Sequence, residues 1–177
     1  MTQTQRPWNV PVRIEDVPEE GAHFDLSADE KTRATIASMA GLRVLSRFQA
    51  SLDVRRHGQG GLRVTGEVSA TVGQVCVVTL DPLENEVQEA VDLTFMPGAD
   101  APQSGADVDP AAGEPPEALV EGTIDLGALA TEFLILGIDP YPRRPGAVFE
   151  STSVGEGSAN PFAALAKLKQ KQDPGTK

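Results

Sequence analysis

The sequence has one cysteine, Cys76, among 177 residues. A lone thiol excludes an intrachain disulfide and any metal site built from several thiolates, and with them the small secreted scaffold in which staples stand in for a core. A reducing, cytoplasmic location is expected. Aromatic residues make up 5% of the chain, too few to set out a row of stacking platforms for single-stranded nucleic acid. No apolar run approaches the length that spans a bilayer, and the first ten residues lack the apolar stretch of an export signal, so no membrane contact is expected. Histidine is almost missing: His23 and His57 are the two present, one ahead of an expected helix and one in a glycine-rich turn, and both read as solvated turn residues rather than general bases. There is no Gly-x-Ser-x-Gly, no His-Glu-x-x-His and no dinucleotide fingerprint, and Gly58-Gln59-Gly60-Gly61 lacks the Lys-Ser/Thr of a phosphate loop. The expectation is a protein that is not an enzyme, with no catalytic residues, cofactor, metal or small-molecule substrate.

Positive charge is missing from one long block. Between Val64 and Pro142 there is no Lys or Arg, against fifteen Asp and Glu. The formal charge of the chain is −11, which excludes a protein whose whole surface grips phosphate. Residues 42–63 reverse the pattern, with Arg43, Arg47, Arg55, Arg56 and Arg63 against the single acid Asp53. One basic and one acidic surface are expected.

Periodicity supplies the elements. Val10, Val12 and Ile14 alternate as a short edge strand. Ser27 and Glu30 have the spacing of a capping box, predicting a helix that turns Ala34, Ile36, Ala37 and Met39 inward and stops at Gly41. From Leu42 the period becomes two: Leu42, Val44, Ser46, Phe48, Ala50, Leu52 and Val54 share one face, Arg43, Leu45, Arg47, Gln49, Ser51, Asp53 and Arg55 the other. A turn at 57–61 leads to a return strand with Leu62, Val64, Val68, Ala70 and Val72 inward. Residues 75–80 continue extended, and a further strand follows with Val87, Val91, Leu93 and Phe95 on one side. The connections are too short for crossover helices, so the strands form an antiparallel meander. Asp125 caps a second helix whose apolar face draws on Leu126, Leu129, Ala130, Phe133, Leu134, Ile135 and Leu136, with Gly137 as the stop. The fold class is α+β: an antiparallel β meander packed with two main helices, one domain over residues 1–150. Within it, residues 97–117 are expected to form a mobile acidic loop. Residues 151–177 are a linker and tail, with a short C-terminal helix opened by Asn160 and Pro161 and carrying Phe162, Leu165 and Leu168, a candidate partner-docking segment.

Arg43, Arg47, Arg55 and Arg63 fall on the polar parity of the hairpin, and Arg143 and Arg144 follow the second helix. These six are candidate contacts for RNA phosphate, backbone-directed and salt-sensitive; an ordinary solvated sheet face is the alternative. The acidic block in turn suits a basic partner protein. Cys76, between two valines, reads as a buried small hydrophobe.

Three stretches, residues 71–83, 121–130 and 160–169, resemble the YceD family, the large ribosomal RNA subunit accumulation proteins. Gly122-Thr123-Ile124-Asp125-Leu126 and Asn160-Pro161-Phe162-Ala163 carry most of the likeness, and Asp139-Pro140-Tyr141-Pro142-Arg143-Arg144-Pro145 is similar to the alphaproteobacterial branch. The resemblance implies a non-enzymatic bacterial factor that supports accumulation of large-subunit rRNA in ribosome biogenesis, with rRNA, a pre-ribosomal particle or a basic ribosomal protein as partner. An acidic adaptor for a non-ribosomal client is the other reading. Many relatives carry Cys-x-x-Cys where this chain has Cys76 and Thr79, and Thr is a poor zinc ligand, so no zinc is expected there.

Overall fold

Strict alternation from Phe48 onward folds the middle of the chain into a sheet with one apolar and one polar side. The computed structural model describes residues 7–98 and 115–149. Of the acidic loop expected over 97–117, residues 99–114 lie outside them and Glu117 opens a short strand; the helix expected from Asn160 also lies outside them. Contacts group Met1–Ala147 as one unit and Val148–Lys177 as a second.

The elements of the first unit are β1 (Pro11–Arg13), β2 (Ala22–Ser27), α1 (Glu30–Met39), β3 (Val44–His57), β4 (Gly61–Val75), β5 (Pro82–Met96), β6 (Glu117–Ala118), β7 (Thr123–Asp125) and α2 (Leu126–Gly137). Five strands form one sheet in the order β2-β3-β4-β5-β6, and β1 pairs with β7 in a small second one. The first three neighbours are antiparallel; β6 joins β5 in parallel over two residues. The class is α+β, as the alternation predicts.

One face of the large sheet is buried. Phe48, Leu52, Val54, Leu62, Val64, Val68 and Val72 lie fully inside, with Ile36 of α1 and Leu126 and Leu134 of α2. Each such side chain contributes roughly 1.5–3 kcal/mol by leaving water. Trp8 stacks its ring edge-on to Phe48, centroids 4.8 Å apart. Gly66 faces this core at φ +147, where an added Cβ would run into the Ser51 carbonyl oxygen; a side chain at that point of β4 has no room.

Several expectations need correcting. Asp29, not Ser27, caps α1, accepting from the Thr32 amide at 2.7 Å. Ser27 is instead drawn into β2, opposite Gln49. The helix buries only Ile36 and Ala37; Ala34 and Met39 are exposed. Its end is as read, with Gly41 at φ +66 and the Leu42 amide bonded back to the Ala37 carbonyl. In β3 the parity breaks: a bulge between Leu45 and Arg47 leaves Ser46 unpaired, so Leu45 is buried and Val44 exposed. Residues 75–80 are not extended throughout. After Val75 the chain turns on itself, with the Leu80 amide bonded to the Cys76 carbonyl and the Cys76 amide to the Asp81 carbonyl, and Leu80 takes φ +61. In α2, Ile135 and Leu136 are exposed rather than inward. The helix does end at Gly137, as read, and that glycine lies flush on Val87 and Glu89 of β5, where a Cβ would overlap both. His23 is not in a turn but on β2, opposite Asp53.

Candidate partner-binding face

The polar side of the large sheet faces solvent, and the register decides who meets whom on it. Arg47 and Gln49 of β3 stand beside Ser69 and Thr71 of β4, and those two beside Gln88 and Glu86 of β5. Arg47 reaches across all three strands. Its guanidinium donates to Thr71 Oγ1 (3.3 Å), Gln49 Oε1 (3.3 Å) and Ser69 Oγ (3.1 Å) and closes an ion pair with Glu86 Oε2 at 2.6 Å. The Thr71 hydroxyl donates to the other Glu86 oxygen at 2.7 Å. That bond first, and the Arg47 guanidinium next, hold Glu86 below the usual carboxylate range. Arg63 grips Asp92 with two parallel bonds, 2.9 and 2.8 Å, the fork geometry that suits a carboxylate. The pair lowers the Asp92 carboxyl and raises the guanidinium further above its ordinary value.

Arg55 stands opposite Arg63 in the register and has no carboxylate partner among the described residues; its aliphatic stem runs over Gly21, which is held at φ +92. Arg43, at the foot of β3, lines a groove of about 290 Å³ with Val75, Val77, Pro140 and Pro142 and is likewise unpaired among the described residues. The segment after α2 is pinned there by the Val77 amide on the Pro142 carbonyl (2.9 Å) and by Gln74 Nε2 on the Asp139 carbonyl (2.8 Å). This brings Arg143 and Arg144 to the same end. Arg144 pairs with Asp81 at 3.3 Å, and Arg143 has no carboxylate partner among the described residues. The expected docking segment, Asn160 to Leu168, lies outside the described residues.

Among the described residues, basic and acidic side chains expected on separate surfaces share this face of the sheet. Arg47, Arg55 and Arg63 share it with Asp25, Asp53, Glu67, Glu86 and Asp92. Sequence reasoning passed over one cluster on it: His23 sits between Asp53 (3.1 Å from Nδ1) and Asp25 (3.2 Å from Nε2), with Ser51 Oγ at 3.4 Å. The hydrogen bond to Asp53, then that to Asp25, raises the histidine above its ordinary 6.5. Nothing short of the β2 pairing reveals this cluster, because Ser51 and Asp53 lie about thirty residues along the chain from His23 and Asp25.

Cys76 is buried, as its valine neighbours predict, but its sulfur is an acceptor. The Arg144 amide points at Sγ from 3.3 Å and the Thr79 amide from 3.5 Å. These donors pull the thiol down to about 6. Among the described residues no three His, Cys, Asp or Glu side chains converge to hold a metal ion, and no helix is long and apolar enough to cross a membrane.

Fold and face together define a small α+β protein that turns one side of its sheet, crowded with ion pairs, to solvent. The chain belongs to the large ribosomal RNA subunit accumulation protein YceD family, whose family model matches residues 64–169. That membership assigns it a role in the accumulation of large-subunit ribosomal RNA. No curated protein matches the chain, and no solved structure matches it.

Proposed function

We propose that the protein supports large-subunit rRNA accumulation as a binding factor that alters no covalent bond, and that it meets the assembling particle through a cationic segment of a ribosomal protein. The observation that carries this reading is the state of the arginines on the open face. Arg47 and Arg63 already hold carboxylates, and the face carries more carboxylates than guanidinium groups. A phosphate backbone docking there would have to displace Glu86 and Asp92 and meet Asp25, Asp53 and Glu67. A cationic segment meets a face on which carboxylates outnumber guanidinium groups, two of which are already paired. Arg43, Arg55 and Arg143, unpaired among the described residues, favour a second contact with rRNA phosphates at the margins of the same molecule.

Sedimentation of tagged protein through a sucrose gradient tests the role: part of it is expected with large-subunit precursors. Pull-down at rising ionic strength tests the partner, with basic ribosomal proteins retained at low salt and released as screening shortens the Debye length. A partner set without ribosomal proteins at any salt would sink the proposal and favour a non-ribosomal client.

A further inference from the structure

Among the described residues, β5 leaves a long edge unpaired. On one side it pairs with β4 from Pro82 to Phe95; on the other, β6 covers only Phe95 and Met96. From Leu83 to Thr94 no hydrogen bond from another described residue reaches the outer backbone groups of the strand. The opposite edge, β2, is six residues long against fifteen for β5, and shortness is itself a defence against strand addition.

The defence of β5 is charge of one sign. It carries Glu84, Glu86, Glu89 and Asp92 and no Lys or Arg. Such an edge repels a second copy of itself and any acidic strand, and favours a cationic strand over both. Beside it lies apolar surface. Because Gly137 is flush on Val87 and Glu89, the last turn of α2 borders the edge, and there Ile135 is 42% and Leu136 80% exposed. Carboxylates along the strand and an aliphatic ledge next to it are what an extended segment with alternating cationic and apolar side chains requires, since its successive side chains point to opposite faces. The fold already uses this edge once, at Phe95 and Met96.

We infer that the free edge of β5 is the docking site for an extended Lys/Arg-rich segment of a basic protein, which adds to the sheet as a further strand. Backbone hydrogen bonds supply affinity and the alternating side chains specificity. The inference rests on the basic-partner reading above and says where and in what conformation that partner binds.

The test uses the full chain and a peptide of about twelve residues alternating Lys and Val, long enough to span the free stretch. Backbone amide exchange is followed by NMR with and without saturating peptide. Outward-facing amides between Leu83 and Thr94 are expected to slow about tenfold or more, with β2 amides unchanged. Glu84→Lys with Ala90→Lys, both at exposed positions without an ion pair, is expected to weaken peptide binding about tenfold while leaving the denaturant melt of the protein in place. Peptide binding without protection on β5, protection on β2 instead, undiminished binding by the double variant, or no binding at all would each overturn the edge proposal. Co-sedimentation with large-subunit precursors would survive any of those four results; its loss with β5 protection intact would instead strike the broader reading.

Discussion

Glu86→Gln combined with Asp92→Asn separates the two ways this face can be read. The amides are near-isosteric with the carboxylates they replace, so the sheet is kept. What goes is the negative charge holding Arg47 at 2.6 Å and Arg63 at 2.8 Å. Both pairs face solvent, whose screening leaves each worth little to the fold, so the urea midpoint of the double variant should hardly move. The effect on binding has opposite sign for the two partner classes. For a cationic peptide, two attractive charges of about 0.2–1 kcal/mol each are lost, so its Kd should rise between about twofold and thirtyfold at low salt. For single-stranded RNA, two guanidinium groups are released to meet phosphates, and each added phosphate contact steepens the log–log salt dependence by about 0.7. Fluorescence anisotropy with both probes across a salt series measures the peptide Kd and the RNA salt slope. The basic-partner reading requires the peptide to weaken and RNA to stay the poorer ligand. A peptide Kd that does not move, alongside RNA binding that tightens with a slope steeper by about 1.4, would refute it and return the arginines to RNA.

Phe48→Ala empties a fully buried site that touches the single tryptophan, and should cost about 3–5 kcal/mol with a red shift of Trp8 emission; a loss below about 1 kcal/mol would contradict the packing of Trp8 on Phe48. Gly66→Ala combines a φ of +147 with a Cβ driven at the Ser51 carbonyl and should cost at least about 2 kcal/mol, readable in the same melt. For His23, whose folded value is raised by Asp53 and then Asp25, an NMR titration should place the midpoint above 6.5 and Asp53→Asn should lower it. The stabilisation from these bonds is complete below the unfolded value and is lost as pH rises through the folded one. The Cys76 thiol, pulled down from its ordinary 9.0 to about 6 by the Arg144 and Thr79 amides, should show thiolate absorbance rising with a midpoint about 6 in the folded chain and none in Cys76→Ser. Its contribution is present above the unfolded value and lost as pH falls through about 6.

Much of the fold was legible because β4 and β5 obey period two over most of their length and their inward sets are apolar. Asp125 before an apolar run was equally plain, and its side chain accepts from the Gly127 and Ala128 amides at 3.1 Å. What failed, failed where a pairing partner overrides a local pattern. Ser27 has the spacing of a cap, yet six residues of β2 satisfy more backbone groups in the sheet than one hydroxyl can at a helix start. The bulge at Ser46 is invisible to alternation, since a single extra residue exchanges Val44 and Leu45 without altering composition. The exposure of Leu136 next to Gly137 depends on how closely that glycine seats on β5, a contact between residues about fifty apart. On the face itself, parity alone set Arg47, Arg63 and Asp92 on one side of the sheet; only the register of β3, β4 and β5 says that they are near enough to bond.

That register explains why sorted blocks of charge in the sequence do not become separate poles in the molecule. A meander lays consecutive strands side by side, so the arginine-bearing β3 lies only one strand from the acidic β5. The strand between them offers the short side chains Thr65, Ser69 and Thr71, over which a guanidinium can extend. Arg47 spans that gap, and Arg63 leans from β4 itself. The centre of the face thus neutralises Arg47 and Arg63, and among the described residues the charge left for a partner includes Glu84 and Glu89 along the β5 edge and Arg43, Arg55 and Arg143 elsewhere. A partner is selected by what remains unpaired, and along the long β5 edge, unpaired among the described residues, what remains is negative.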